Sequence, residues 1–288
     1  MASWDHGVKR RPSTSGPTTD PTPVTASAGE LVACEIRTLD SVAELTESYR
    51  LRYEVYGGLG YLQRFNSSAL EIDEYDSSSI PFGAFDRASG EMIGTLRLIM
   101  MEVQPDYANL VRRVLADIGD AELTAQATAP RSHILPSIIS TEIDRQIDAF
   151  NTDGFVVHEL SRTIVRPDHR GSGVSRGLME LGLAYATQLE PSVLVGSCLT
   201  EHVPMYARYG YVQLPHTGLD RFDSVGQIAR AVVCRTDVLP EPTGSQVDEL
   251  LRAMSSGATE RELDIGRGSR AVFRFTAPRR PRRRTIEW

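Results

Sequence analysis

The sequence predicts one mixed α/β sheet with helices on both faces, and three observations carry that prediction. Two apolar runs flank the turn signal "DRASG" in "IPFGAFDRASGEMIGTLRLIM", the pattern of a β-hairpin. Further on, "GFVVHELSRTIV", "VSRGLMELGLAYATQL" and "SVLVGSCL" read as strand, helix and strand, an order that demands a crossover and local parallel pairing. No internal repeat and no second core are visible, so the 288 residues, 41% of them hydrophobic, read as one domain with two irregular ends.

Residues 1–29 are rich in Ser, Thr, Pro and Gly and lack apolar periodicity, so they cannot bury enough surface to offset chain entropy and read as a disordered arm. The domain is expected over 30–240, followed by a C-terminal helix and basic tail over 241–288. Order begins at "LVACEIRTL", a strand. A helix follows in which Val42, Leu45, Tyr49, Tyr53 and Tyr56 recur at helical spacing, and the Gly57-Gly58 pair is expected to stop it. After the hairpin, "PDYANLVRRVLADIG" sets Tyr107, Leu110, Val114, Leu115 and Ile118 on one helical face, and Gly119 to Ile147 reads as loop plus one short helix. Beyond the crossover, "HVPMYARYGY" is a short helix ending at Gly210, "QIARAVVCRTDV" a late strand and "SQVDELLRAM" a small helix.

Composition bounds the function. Three widely spaced cysteines, Cys34, Cys198 and Cys234, suggest neither a disulfide framework nor a CxxC metal site, and predict a reducing, cytoplasmic setting. No apolar run approaches the roughly 20 residues that span a bilayer. A formal net charge of -7 argues against nucleic-acid binding over the whole surface, although Arg279, Arg280, Arg282, Arg283 and Arg284 concentrate positive charge near the C-terminus. His158, His169, His202 and His216 fit no compact metal-ligand set, so no metal is expected. Cys198 in "GSCLTEH" reads as a buried strand residue more readily than as a nucleophile.

The segment "HRGSGVSRGL" is a basic, glycine-rich turn between a strand and a helix. Glycines let the backbone turn sharply, and the unpaired N–H groups of a first helical turn favour an anion such as phosphate or pyrophosphate. A purely structural turn is the competing reading. The segment is neither a Walker loop, since no Gly-Lys-Ser/Thr follows, nor a dinucleotide fingerprint. Arg170, Gly173 and Ser175 fit Arg-x-x-Gly-x-(Gly/Ala) with Ser175 at the small-residue position, and "YARYGY", Tyr206 to Tyr211, follows after one more strand.

Together these residues resemble motifs A and B of the GNAT superfamily of acyltransferases. The upstream blocks "YRLRYEVY", "LEIDEYD", "GTLRLI" and "HELSR" are similar, in order and spacing, to the branch containing acyl-homoserine-lactone synthases and long-chain N-acyl amino acid synthases. The resemblance covers about Tyr49 to Tyr211. It implies a mostly antiparallel central sheet whose central strands splay apart. It also implies N-acyl transfer from acyl-CoA or a phosphopantetheine-linked donor, with no permanently bound cofactor and with an acyl carrier protein as a possible partner. The donor arm would lie along Ile164, Val165, Arg170, Gly171, Ser172, Gly173, Val174 and Ser175. Arg52, Tyr56, Asp73, Asp76, Arg97 and Ser161 would line the acceptor pocket, two carboxylates suiting an ammonium and an arginine suiting a carboxylate. Glu159, Arg162 and Tyr206 are the expected catalytic residues, Glu159 as the base and Tyr206 as the acid for the leaving sulfur, with a backbone N–H between Thr163 and Val165 for the oxyanion. Each has a plainer reading: a Glu159–Arg162 ion pair, a packing tyrosine, a solvated acidic loop.

Two departures from the pattern bear on substrates. Lactone synthases generally lack so complete a phosphate turn, and the tryptophan usual after their first helix is missing, with Leu62 and Phe65 nearby instead. The main expectation is an N-acyltransferase acting on a small amino-acid-like amine. An autoinducer-type lactone synthase, an enzyme using aminoacyl-tRNA through the C-terminal arginines, and a non-catalytic CoA-binding module remain alternatives.

Overall fold

A computed structural model describes residues 33–275, apart from 63–64, 103, 132, 138–139, 190, 215–216, 218 and 223–226. The N-terminal arm, His216 and the C-terminal arginine cluster lie outside the described residues.

In chain order the elements are β1 (Ala33–Thr38), α1 (Val42–Leu59), β2 (Ser79–Asp86), β3 (Met92–Ile99), α2 (Pro105–Ile118), α3 (Ala121–Ala127), α4 (Thr141–Thr152), β4 (Val156–Val165), α5 (Val174–Leu189), β5 (Ser192–Cys198), α6 (Val203–Ala207), β6 (Val212–Gln213), β7 (Leu219–Phe222), β8 (Gln227–Arg235), α7 (Thr243–Ser255), β9 (Glu260–Gly266) and β10 (Ser269–Arg274). The strands form one sheet in the order β6-β8-β5-β4-β3-β2-β1-β10-β9, with β7 also on β8. Two pairs are parallel, β4–β5 across the α5 crossover and β1–β10, and the rest are antiparallel. The mixed, mostly antiparallel sheet expected from the sequence is therefore present.

Alternation along the strands sorts side chains onto two faces. Leu96 and Leu98 of β3 and Leu160 of β4 join Leu178 and Leu181 of α5 and Val247 and Leu250 of α7 in one core. On the other face Leu45 and Tyr49 of α1 meet Leu110 and Val114 of α2, while Ile143 and Ile147 of α4 cover Val157, Val193 and Val195.

Three local expectations change. Helix α1 does not stop at Gly57-Gly58; it runs to Leu59 and ends at Gly60, whose φ of 71° supplies the left-handed cap. The two glycines cost about 1 kcal/mol each in a helix interior, and Tyr56 and Tyr61 pack edge-on with ring centroids 5.9 Å apart across the helix end. The 119–147 region holds two helices: Asp120 caps α3 by accepting from Leu123 N–H at 3.0 Å, and Ser140 caps α4 by accepting from Ile143 N–H at 3.4 Å. The segment read as helix and tail contains a further hairpin, β9–β10, which joins the sheet through β1.

Candidate active site

The site is built around a discontinuity in β4. Parallel pairing of β4 with β5 runs from Val156 opposite Ser192 to Glu159 opposite Val195 and has no later pair, although β4 continues to Val165 and β5 to Cys198. The strands therefore splay after Glu159. On the other edge of β4 the register with β3 passes from Arg97 opposite Ser161 to Thr95 opposite Ile164, so Arg162 and Thr163 together face Leu96. That is a β-bulge, and Arg162 takes a φ of 57° within it. Strict alternation would send residue 162 to the face opposite residue 161. The bulge re-aims it.

The re-aimed guanidinium enters a buried network. Arg162 donates from Nε to Glu71 at 2.9 Å and from Nη2 to Asp73 at 2.9 Å. Arg97 grips both oxygens of Asp73, at 2.6 and 2.7 Å, donates from Nε to the Ser161 hydroxyl at 3.3 Å, and lies 3.0 Å from Asp76. Arg52 reaches Asp76 with both terminal nitrogens, at 2.8 and 3.2 Å, and also bonds Glu71. Three guanidinium groups thus meet three carboxylates, with Tyr56 beneath Arg162 at 5.5 Å and Tyr49 beneath Arg52 at 5.0 Å. Burial alone would raise the pKa of Asp73, but Arg97 and Arg162 beside it hold it well below the usual range. Glu71 is lowered too, against its burial, by Arg162 and Arg52.

The motif blocks meet in this network, and the acids are bonded to arginines rather than open to an ammonium. Glu71 was absent from the sequence-derived site. It lies two residues before Asp73 in the same acidic block, and that proximity was the available signal.

Glu159 stands outside this network. It is 3% exposed, and its Oε2 accepts the Ser137 N–H at 3.0 Å. The ion pair with Arg162 weighed from the sequence is not formed, because the bulge turns Arg162 toward Glu71 and Asp73. Burial drives the Glu159 pKa up to about 7, against the lowering pull of Ser137, Arg97 and Arg162. Tyr206 lies in α6, and its ring meets Tyr211 edge-on at 5.3 Å. Burial pushes its pKa above the ordinary phenol value.

Cys198 is buried with its thiol pushed up to about 11, and Cys34 and Cys234 to about 12, so none is an activated thiolate. Burial lowers His158 to about 4, leaving a neutral imidazole with neither nitrogen hydrogen-bonded among the described residues.

The glycine-rich turn leads from β4 into α5. Gly171 and Gly173 adopt φ of 79° and 92°, Ser172 Oγ donates to the His169 carbonyl at 2.6 Å, and Gly177 N–H closes on the Gly173 carbonyl at 3.1 Å. The N–H groups of Val174, Ser175 and Arg176 belong to a first helical turn, which has no intrahelical acceptors for them. Part of the glycine requirement is internal: a Cβ on Gly173 would lie 2.4 Å from the carbonyl oxygen of Ile265 in β9.

A family model described as N-acyl amino acid synthase FeeM matches residues 47–232, well over half of the chain. No curated protein matches. Among solved structures, FeeM, an N-acyl amino acid synthase from uncultured soil microbes, is 20% identical over 76% of this chain and 97% of that chain, with a TM-score of 0.49. BjaI, a CoA-dependent acyl-homoserine lactone synthase solved with SAM and isopentyl-CoA, is 14% identical over 76% of this chain and 90% of that one, with a TM-score of 0.47. TofI, solved with an inhibitor and MTA, is 18% identical over 74% and 96%, with a TM-score of 0.45.

Proposed function

The chain belongs to the FeeM family of N-acyl amino acid synthases, N-acyltransferases that join an acyl group to an amine, and on that premise we propose its donor, acceptor and catalytic groups. The donor is an acyl thioester on coenzyme A or a phosphopantetheine arm, and the acceptor is a small amino-acid-like amine.

The observation that carries this reading is Glu159: a buried carboxylate with a pKa near 7, located where β4 and β5 part. Near neutral pH such a group takes a proton readily and gives it up again, as a general base for an ammonium must. Glu159 removes a proton from the acceptor, directly or through a water. The freed amine attacks the thioester carbonyl, the C–N bond forms, and the carbonyl oxygen carries the negative charge while a backbone N–H after the bulge stabilises it. Collapse breaks the C–S bond, and Tyr206 protonates the departing thiolate. The nitrogen's excess proton passes to the Tyr206 phenolate, restoring the phenol, so ammonium and thioester become amide and thiol with one proton left on Glu159 and released to solvent.

The arginine–carboxylate network forms the rigid wall of the acceptor pocket: its charges already satisfy one another, so it holds Ser161, Tyr56 and the bulge in fixed geometry. The 170–175 turn holds the donor's phosphates at the α5 N-terminus. Incubation with acyl-CoA donors of different chain length and a panel of amino acids tests the reading, by thiol release and by mass detection of the N-acyl product. The proposal fails if folded protein hydrolyses donors no more slowly than it acylates any amine.

A further inference from the structure

The β9–β10 hairpin lies beyond the region matched by the family model, yet it meets the donor turn. Its two-residue loop is Arg267-Gly268, with φ of 56° and 78°. A tight hairpin turn of this kind requires positive φ at both central positions and favours Asn-Gly or Gly-Gly; an arginine at the first position carries a steric cost. The loop tip packs on the turn before α5: a Cβ on Gly171 would lie 2.9 Å from Arg267 Nη1.

The surrounding cations divide by what they touch. Arg166 lies 3.6 Å from Glu91 and 3.4 Å from Asp168. Arg176, in the first turn of α5, donates from Nε to the fully buried Glu180 at 2.7 Å, which fixes its terminal nitrogens beside Gly266. Among the described residues, no carboxylate lies within ion-pair distance of Arg267 or Arg170. Positive charge is thus left uncompensated on both sides of the turn.

We propose that Arg267 is a donor-selecting residue: from the tip of the C-terminal hairpin its guanidinium contacts the phosphorylated nucleotide end of coenzyme A and so favours CoA-borne donors over the bare pantetheine arm. The inference rests on the reading of residues 170–175 as the donor site. A guanidinium binds phosphate oxygens through paired, charge-assisted N–H donors, which a planar fork at this position can supply.

Arg267→Asn tests it cleanly, because asparagine suits left-handed backbone better than arginine while removing the charge. Titration calorimetry with CoA, dephospho-CoA and pantetheine would compare wild type, Arg267→Asn, Arg267→Lys and Arg170→Gln. The expected result is that Arg267→Asn binds CoA about tenfold more weakly or worse, binds pantetheine unchanged and melts no lower than wild type, with Arg267→Lys between. Equal CoA affinity in wild type and Arg267→Asn, with loss in Arg170→Gln, overturns the role of Arg267 and leaves the donor turn standing. A loss of equal size for CoA and pantetheine overturns it as well, since it would mark a general disturbance. Wild-type protein with no CoA affinity overturns the donor reading together with this inference.

Discussion

Two arginine clusters flank β4, and they behave in opposite ways. Arg52, Arg97 and Arg162 are buried and bonded to Glu71, Asp73 and Asp76, so the cluster is closed and near neutral. Arg170 and Arg267 stand on exposed turns without carboxylate partners among the described residues, so that cluster is open. The same side chain serves as scaffold where its charge is satisfied internally and, in the proposal above, as ligand contact where it is not. Burial of an ion pair contributes little net stability, because desolvation cancels much of the attraction, but removing one partner leaves a stranded charge.

The sharpest way to break this contrast is Arg97→Met, which removes the paired donors from Asp73, leaving it with Arg162 alone and Asp76 with Arg52 alone. Equilibrium denaturation should show a loss of about 3–5 kcal/mol, and a loss below about 1 kcal/mol would mean that the network is not cooperative. The network also makes stability acid-sensitive. Asp73 has a folded pKa below its unfolded value, so its contribution is present above the unfolded pKa and disappears as pH falls toward the folded one.

Glu159→Gln comes next. It should lower kcat/KM by about 10²–10⁴-fold and remove an acidic limb near pH 7 from the pH–rate profile. The stability effect has the opposite sign to that of Asp73. A carboxyl whose folded pKa is raised contributes fully below its unfolded pKa and loses that contribution as pH rises through about 7. The melting temperature of wild type should therefore fall relative to Glu159→Gln between pH 5 and about pH 8. A parallel pair of curves would contradict the raised pKa.

Gly173→Ala probes the open cluster from beneath, through the 2.4 Å approach to the Ile265 carbonyl and the φ of 92°. It should destabilise by about 1–3 kcal/mol and weaken donor binding in parallel, read by thermal melts and donor KM. The gentlest probe is salt. Raising NaCl to 0.5 M should raise the KM for a CoA donor severalfold through screening at the exposed turn, while leaving the melting temperature almost unmoved because the buried pairs are shielded from ions.

These contrasts were legible in the sequence to different degrees. The hairpin from Ser79 to Ile99 and helix α5 were readable because turn chemistry and periodicity agreed. The convergence of Arg52, Asp73, Asp76, Arg97 and Arg162 followed from the order of motif blocks, since no local pattern specifies contacts between residues so far apart. What local patterns could not give was direction. Whether residue 162 faces the network depends on a bulge set by the register with β3, which is a property of two strands together. Glu159 and Arg162 therefore looked like partners and are not. The β9–β10 hairpin escaped for another reason: its outward positions carry Glu262, Asp264 and Arg270, so its inward Leu263, Ile265, Ala271 and Phe273 were outweighed by charge.

The pairing of Ala33 with Arg270 sets an order of assembly. During synthesis β1 emerges first among the described strands, and the strand that closes its outer edge emerges last. For most of translation that edge presents open N–H and C=O groups, the kind of template on which chains join one another. Once β10 docks, the same event that seals the edge brings the β9–β10 loop against the turn at Gly171. Protection from aggregation and completion of the proposed donor site are thus one late step, and premature termination before Glu260 would forfeit both.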